Sequence, residues 1–112
     1  GLTDEQVDAM VRESFEKAEE DFQARQVREA QVEADNILYA VEKAKASDAW
    51  LQLTNEDRAV VDLAANQLLA VYHSGDHHLI LDHIAKLDAA TVGLAESMMN
   101  AAVQDALKGT KI

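Results

Sequence analysis

From Leu2 to Leu53 the chain contains neither glycine nor proline, and its apolar residues recur every three or four positions. That spacing gathers them on one side of an α-helix. A first stripe runs through Val7, Met10, Val11, Phe15, Ala18 and Phe22. A five-residue step from Phe22 to Val27 breaks the phase, and a second stripe follows through Ala30, Ala34, Ile37, Val41 and Ala44. Thr3-Asp4-Glu5-Gln6 reads as a capping box, in which the threonine hydroxyl accepts an N–H three residues on and the glutamine reaches back. Lys43 and Lys45 suit the negative end of the helix dipole. The pattern predicts two helices, about 4–17 and about 18–46, meeting at a bend near Glu16 to Asp21. One continuous helix is the competing reading, because no strong breaker lies there.

Ser47-Asp48 begins a short connection carrying Trp50, Leu51 and Leu53. Thr54-Asn55-Glu56-Asp57 is a further N-terminal cap signal, and Val60, Val61, Ala64, Leu68, Val71 and Tyr72 trace a helical face. Gly75 supplies a left-handed C-cap and Asp76 a fresh N-cap. Ile80, Ile84 and Leu87 predict a short helix of about 77–87. Asp88 is expected to cap the last helix, with Val92, Ala95, Met99, Ala102 and Ala106 facing inward until Lys108-Gly109 ends it.

The expectation is an all-α fold of five unequal helices without strands, covering on the order of 80% of the residues. The last three helices and the C-terminal half of the second have enough apolar positions for an antiparallel bundle. The chain therefore divides into an arm, residues 1–29, and a helical bundle, residues 30–112. Val7, Val11, Phe15 and Phe22 find no partner within the chain, and an apolar stripe of that size calls for a covering surface. A second copy of the same stripe is one such surface, so self-association of the chain is expected.

Charge and composition narrow the function. Twenty-one acidic residues against ten basic ones leave a net charge of −11 over 112 residues. A nucleic-acid backbone or an anionic membrane surface needs a concentrated positive face, and this chain has none. Cysteine is absent, which excludes a disulfide scaffold and a thiolate metal site and fits a reducing, cytoplasmic setting. The chain opens on Gly1 rather than methionine, suggesting a processed chain or a piece of a longer one.

Candidate chemistry is sparse. His73, His77, His78 and His83 lie near Asp76 and Asp82, and His78 and Asp82 have ligand-like spacing. The Ser74-Gly75 break separates His73 from His77, and His83 adjoins Ile84 on the apolar side, so no metal is expected. No nucleophile–base arrangement and no glycine-rich phosphate loop occurs, so neither catalytic nor cofactor-binding residues are assigned. Met98-Met99 has core spacing, with a soft binding surface as the alternative. One carboxylate pair is more informative. Asp21 and Asp35 fall on one side of the second helix, ~21 Å apart along its axis at ~1.5 Å per residue.

Gly1-Leu2-Thr3, Met10-Val11-Arg12-Glu13 and Ala18-Glu19-Glu20-Asp21, followed by Ala34-Asp35-Asn36-Ile37-Leu38-Tyr39-Ala40-Val41-Glu42-Lys43, resemble the helical lid of the 70-kDa heat-shock chaperones. The Ser74-Gly75-Asp76 break is similar as well. Asp21-Phe22-Gln23-Ala24-Arg25, Gln31-Val32-Glu33-Ala34 and the ending Met99 to Gly109 resemble the HscA branch, which serves iron–sulfur cluster assembly. Gln31 and Val32 stand where general members of the family carry an Arg-Asn pair.

The resemblance implies a lid that closes over client peptide held in a β-sandwich outside this sequence. It implies that Asp21 and Asp35 latch the lid to that sandwich, and that Val7, Val11, Phe15 and Phe22 pack on it. ATP and Mg would belong to an ATPase domain also outside this sequence, so this chain is expected to hydrolyse nothing. The implied partners are the chain's own sandwich, a client (an iron–sulfur scaffold protein in the HscA case) and a J-type co-chaperone. The rival reading is a free-standing acidic helical bundle acting as an adaptor for a partner helix; a metal-binding regulator is a third.

Overall fold

The computed structural model describes residues 1–110, and it is all-α. Five helices follow one another: α1 (Asp4–Lys45), α2 (Asp48–Gln52), α3 (Asn55–Val71), α4 (His77–Ala90) and α5 (Val92–Thr110). No strand occurs among the described residues. Lys111 and Ile112, the end of the expected 30–112 bundle, lie outside them.

The expected bend near Glu16 to Asp21 does not exist. α1 is one 42-residue helix, ~63 Å long at the usual rise. Its start follows the capping box: Gln6 N–H donates to Thr3 Oγ1 at 3.1 Å, and Thr3 N–H donates to Gln6 Oε1 at 2.9 Å. The phase break between Phe22 and Val27 has another cause. At ~100° per residue the stripe from Val7 to Phe22 and the stripe from Ala30 to Ala44 point about 120° apart around one straight axis. The helix changes the face it offers without bending. Residues 1–25 are exposed, and burial begins at Gln26 and Val27.

The second half of α1 joins α3 and α4 in the main core. Ala30, Ala34 and Val41 meet Val61, Ala64, Ala65, Leu68, Ile80 and Leu87 there, with α4 packed against both other helices. Alanine at four of those nine positions lets the helices approach closely and keeps the core thin. Thr54 caps α3 by accepting from Asp57 N–H at 3.1 Å. Gly75, at φ +75°, carries the chain through the left-handed region into Asp76, which caps α4 by accepting from Leu79 N–H.

The connection at Trp50 is itself a helical turn, α2. It closes a smaller cluster in which Ala44, Ala49 and Leu94 are buried beside Trp50 and Leu53. Two expectations for the last helices fail. Asp88 does not cap α5: α4 runs on to Ala90, which packs against the core, and Thr91 closes it with N–H donated to the carbonyls of Leu87 and Asp88. Thr91 then offers its own carbonyl to Ala95 N–H, so one residue ends α4 and opens α5. Nor do Val92, Ala95, Met99, Ala102 and Ala106 face inward. All are exposed, and Leu94 is the buried residue of α5. Only the first turns of α5 reach α2 and the end of α1; the remainder runs past the bundle, through Gly109 to Thr110.

Arm and bundle together give a radius of gyration of 22.4 Å over an 88 Å length. A compact chain of this size would have a radius near ~13 Å. The arm stands clear of the core.

Candidate functional site: the free face of the long helix

The free half of α1 has two unlike sides. Val7, Val11, Phe15 and Phe22 form an apolar ribbon, all of them exposed, with Leu2 and Met10 beside it. A second side, about 110° round the helix, carries Glu5, Asp8, Glu16, Glu19 and Glu20, and by the same ~100° turn per residue it lies on the azimuth that builds the bundle core further along. One ribbon on one helix therefore ends where the core-forming face begins, and the two look in different directions. Four such apolar side chains would contribute roughly 1.5–3 kcal/mol each if covered.

Asp21 lies at the edge of the ribbon and Asp35 further round, toward the seam with α3. Both are exposed, and neither joins an ion pair among the described residues. They differ in one respect. Asp35 Oδ2 accepts a hydrogen bond from the Tyr72 hydroxyl at 3.1 Å, across 37 positions of sequence. That hydrogen bond to a carboxylate, helped by partial desolvation and the nearby negative charge, raises the Tyr72 phenol above its ordinary value. Gln31, which replaces the arginine of the resembled pattern, points into the bundle, where its Nε2 donates to the Tyr72 carbonyl at 2.9 Å.

Two residues on this side carried no role in the sequence reading. Val32 and Tyr39 are 57% and 70% exposed, although both lie in the part of α1 that builds the core. Their spacing was the available signal: Asp21, Arg25, Val32 and Tyr39 recur in steps of four and seven and so share a side of the helix. The free face thus continues past the arm along the outside of the bundle.

His73, His77 and His78 sit at the α3–α4 corner, and His83 lies in the middle of α4. His77 and His78 pair their rings at 4.0 Å, His73 meets Tyr72 edge-on, and His83 is half-buried. No three His, Asp or Glu side chains converge on a metal-sized point among the described residues. No helix among them is long and apolar enough to cross a membrane. The free face offers an apolar ribbon with Asp21 at its edge, and Asp35, held by Tyr72, further round the helix.

Comparison with known proteins gives this surface a family. A family model described as Hsp70 protein matches residues 1–100. The whole chain is 38% identical to the Chaperone protein HscA homolog of Haemophilus influenzae (strain PittEE) and covers 18% of that protein. It is 40% identical to the Chaperone protein HscA homolog of Azoarcus sp. (strain BH72) and 38% identical to the Chaperone protein HscA of Klebsiella pneumoniae (strain 342), again covering 18% of each. The match takes in all of this chain and under a fifth of theirs. With a family model spanning most of its length and relatives well above a third identical, the chain belongs to the Hsp70 family.

Proposed function

We propose that this chain is the helical lid of an HscA-type, ATP-dependent chaperone. It closes over a client peptide held in a β-sandwich of the full-length protein. In this reading the arm lays Val7, Val11, Phe15 and Phe22 on the sandwich, and Asp21 and Asp35 latch the long helix to cationic side chains there. The observation that carries the reading is the change of face within α1: one straight helix seats itself in a bundle with one side and presents an uncovered apolar ribbon on another. Such a ribbon calls for a covering surface outside the bundle.

A lid acts mainly on the off-rate, since it adds little contact with the client but must move before the client leaves. Latch contacts made by exposed carboxylates are individually weak, about 0–1 kcal/mol each, and a lid that reopens every cycle needs that. The chain itself catalyses nothing in this reading. ATP and Mg belong to the ATPase domain of the full-length protein, a J-type co-chaperone would stimulate it, and the client is an iron–sulfur scaffold protein in a cytoplasmic setting.

Replacing both acids, Asp21→Asn with Asp35→Asn, tests the latch in the full-length chaperone. Client peptide should leave the ADP state several-fold faster, while the circular dichroism and melting temperature of the lid stay unchanged. An unaltered off-rate would remove the latch assignment.

A further inference from the structure

Tyr72 is tied to α1 at both ends. Its ring packs, partly buried, against the main core. Its carbonyl accepts from Gln31 Nε2 and its hydroxyl donates to Asp35 Oδ2. Gln31 and Asp35 are four residues apart, hence one turn apart on α1. The tyrosine is therefore a rigid donor clamped over a single turn of the long helix.

An exposed aspartate in a helix otherwise divides itself between about two staggered χ1 wells, the third clashing with the preceding turn, and water selects neither of them. A hydroxyl at a fixed point selects one. An ionised carboxylate has two acceptor oxygens. The bond to Tyr72 engages Oδ2 and leaves Oδ1 without a hydrogen-bond partner among the described residues.

We propose that Tyr72 is a positioning residue for Asp35, holding the carboxylate in one rotamer with Oδ1 left for a lysine or arginine on the surface that the long helix closes upon. The proposal rests on the lid reading above and deepens it. It also makes the latch conditional on the end of α3 staying beside α1, a placement held chiefly by α4, which packs against both; Tyr72 is the C-cap of α3 and Asp35 lies on α1. Undocking that corner would free the aspartate and weaken the latch without touching the arm.

Four full-length proteins decide the matter: the parent, Tyr72→Phe, Asp35→Asn and the double variant, each assayed for client-peptide release in the ADP state. Phenylalanine keeps the ring in the core and removes only the hydroxyl. If one of about two wells is being held, Tyr72→Phe should speed release up to about twofold. In the Asp35→Asn background the same change should add nothing, the signature of two groups acting as one. In the 112-residue chain, side-chain NMR couplings of Asp35 should report one χ1 rotamer, averaging on Tyr72→Phe. Three results would overturn the proposal. If Asp35→Asn speeds release and Tyr72→Phe does not, the latch stands and Tyr72 has no part in it. If Tyr72→Phe acts equally in both backgrounds, its role is merely structural. If Asp35→Asn itself has no effect, the Asp35 latch fails and this proposal with it.

Discussion

Two truncations separate the part of this chain that folds on itself from the part that waits for another surface. Leu68 is fully buried, one of four large side chains under 2% exposed among the described residues, together with Ile80, Leu87 and Val61. Cutting a buried leucine to alanine costs 2–5 kcal/mol, the larger values arising where neighbours cannot close the cavity. The helices around Leu68 already touch through alanines at 30, 34, 64 and 65, so little side chain is available to move in. Leu68→Ala should therefore cost about 3–4 kcal/mol. Phe15 is larger but 73% exposed. Phe15→Ala removes no buried contact and improves helix propensity slightly, so its effect should stay within about 0.5 kcal/mol. Urea denaturation followed by helical circular dichroism, at protein concentrations low enough to keep the chain monomeric, measures both. At roughly 4–8 °C per kcal/mol for a domain of this size, the leucine variant should melt about 15 °C or more below the parent. If Phe15→Ala costs more than about 1 kcal/mol, the arm folds back onto its own bundle and the free ribbon does not exist.

Other outcomes follow from the same contacts. Lys45 donates to Asp62 at 2.7 Å, which together with charge attraction from Asp62 and Glu42 raises its pKa despite some desolvation; the Tyr72 phenol is also raised, chiefly by its bond to Asp35. Both groups hold their protons more tightly folded than unfolded, so their contribution is complete below pH 10.0, the ordinary tyrosine value, and is lost as pH climbs through the raised folded values. A scan of melting temperature against pH should fall more steeply above pH 10.0 for the parent than for the Lys45→Met, Tyr72→Phe double variant. The isolated chain should self-associate through Val7, Val11, Phe15 and Phe22. Because a net charge of −11 opposes that, sedimentation should show more dimer as salt rises. A monomer at every salt concentration would mean that the ribbon is too narrow to pair.

How much of this was legible in the chain depends on the range over which each signal acts. Thr3, Thr54 and Asp76 work within four residues of themselves and cap their helices as their sequence context suggests. Gly75 takes the expected left-handed conformation but does not cap α3, which Tyr72 closes. The break between Phe22 and Val27 was visible but ambiguous, because a shift of apolar phase is produced equally by a bend and by a straight helix that changes partner. Nothing local chooses between them. The choice lies in whether a second surface exists on each side. Asp88 looked like a cap for a similar reason: a side chain able to accept an N–H was read as one that does, whereas the need to keep Ala90 on the core carried α4 past it. The face of α5 was misread as well: Leu94, absent from the expected inward set, is the residue that packs with Ala44 and Ala49. The bond from Tyr72 to Asp35 spans 37 residues and depends on how far α3 slides along α1, a quantity with no sequence signature.

The central claim is that this region acts by slowing client departure, and one kinetic comparison reaches it directly. A labelled client peptide would be bound to the full-length chaperone in the ADP state and chased with unlabelled peptide, with and without residues 1–112. The account predicts that removing the region raises the off-rate about tenfold or more, while ATP turnover without client and the on-rate in the ATP state, where the proposed lid would stand open, change little. Equal off-rates with and without the region would contradict it.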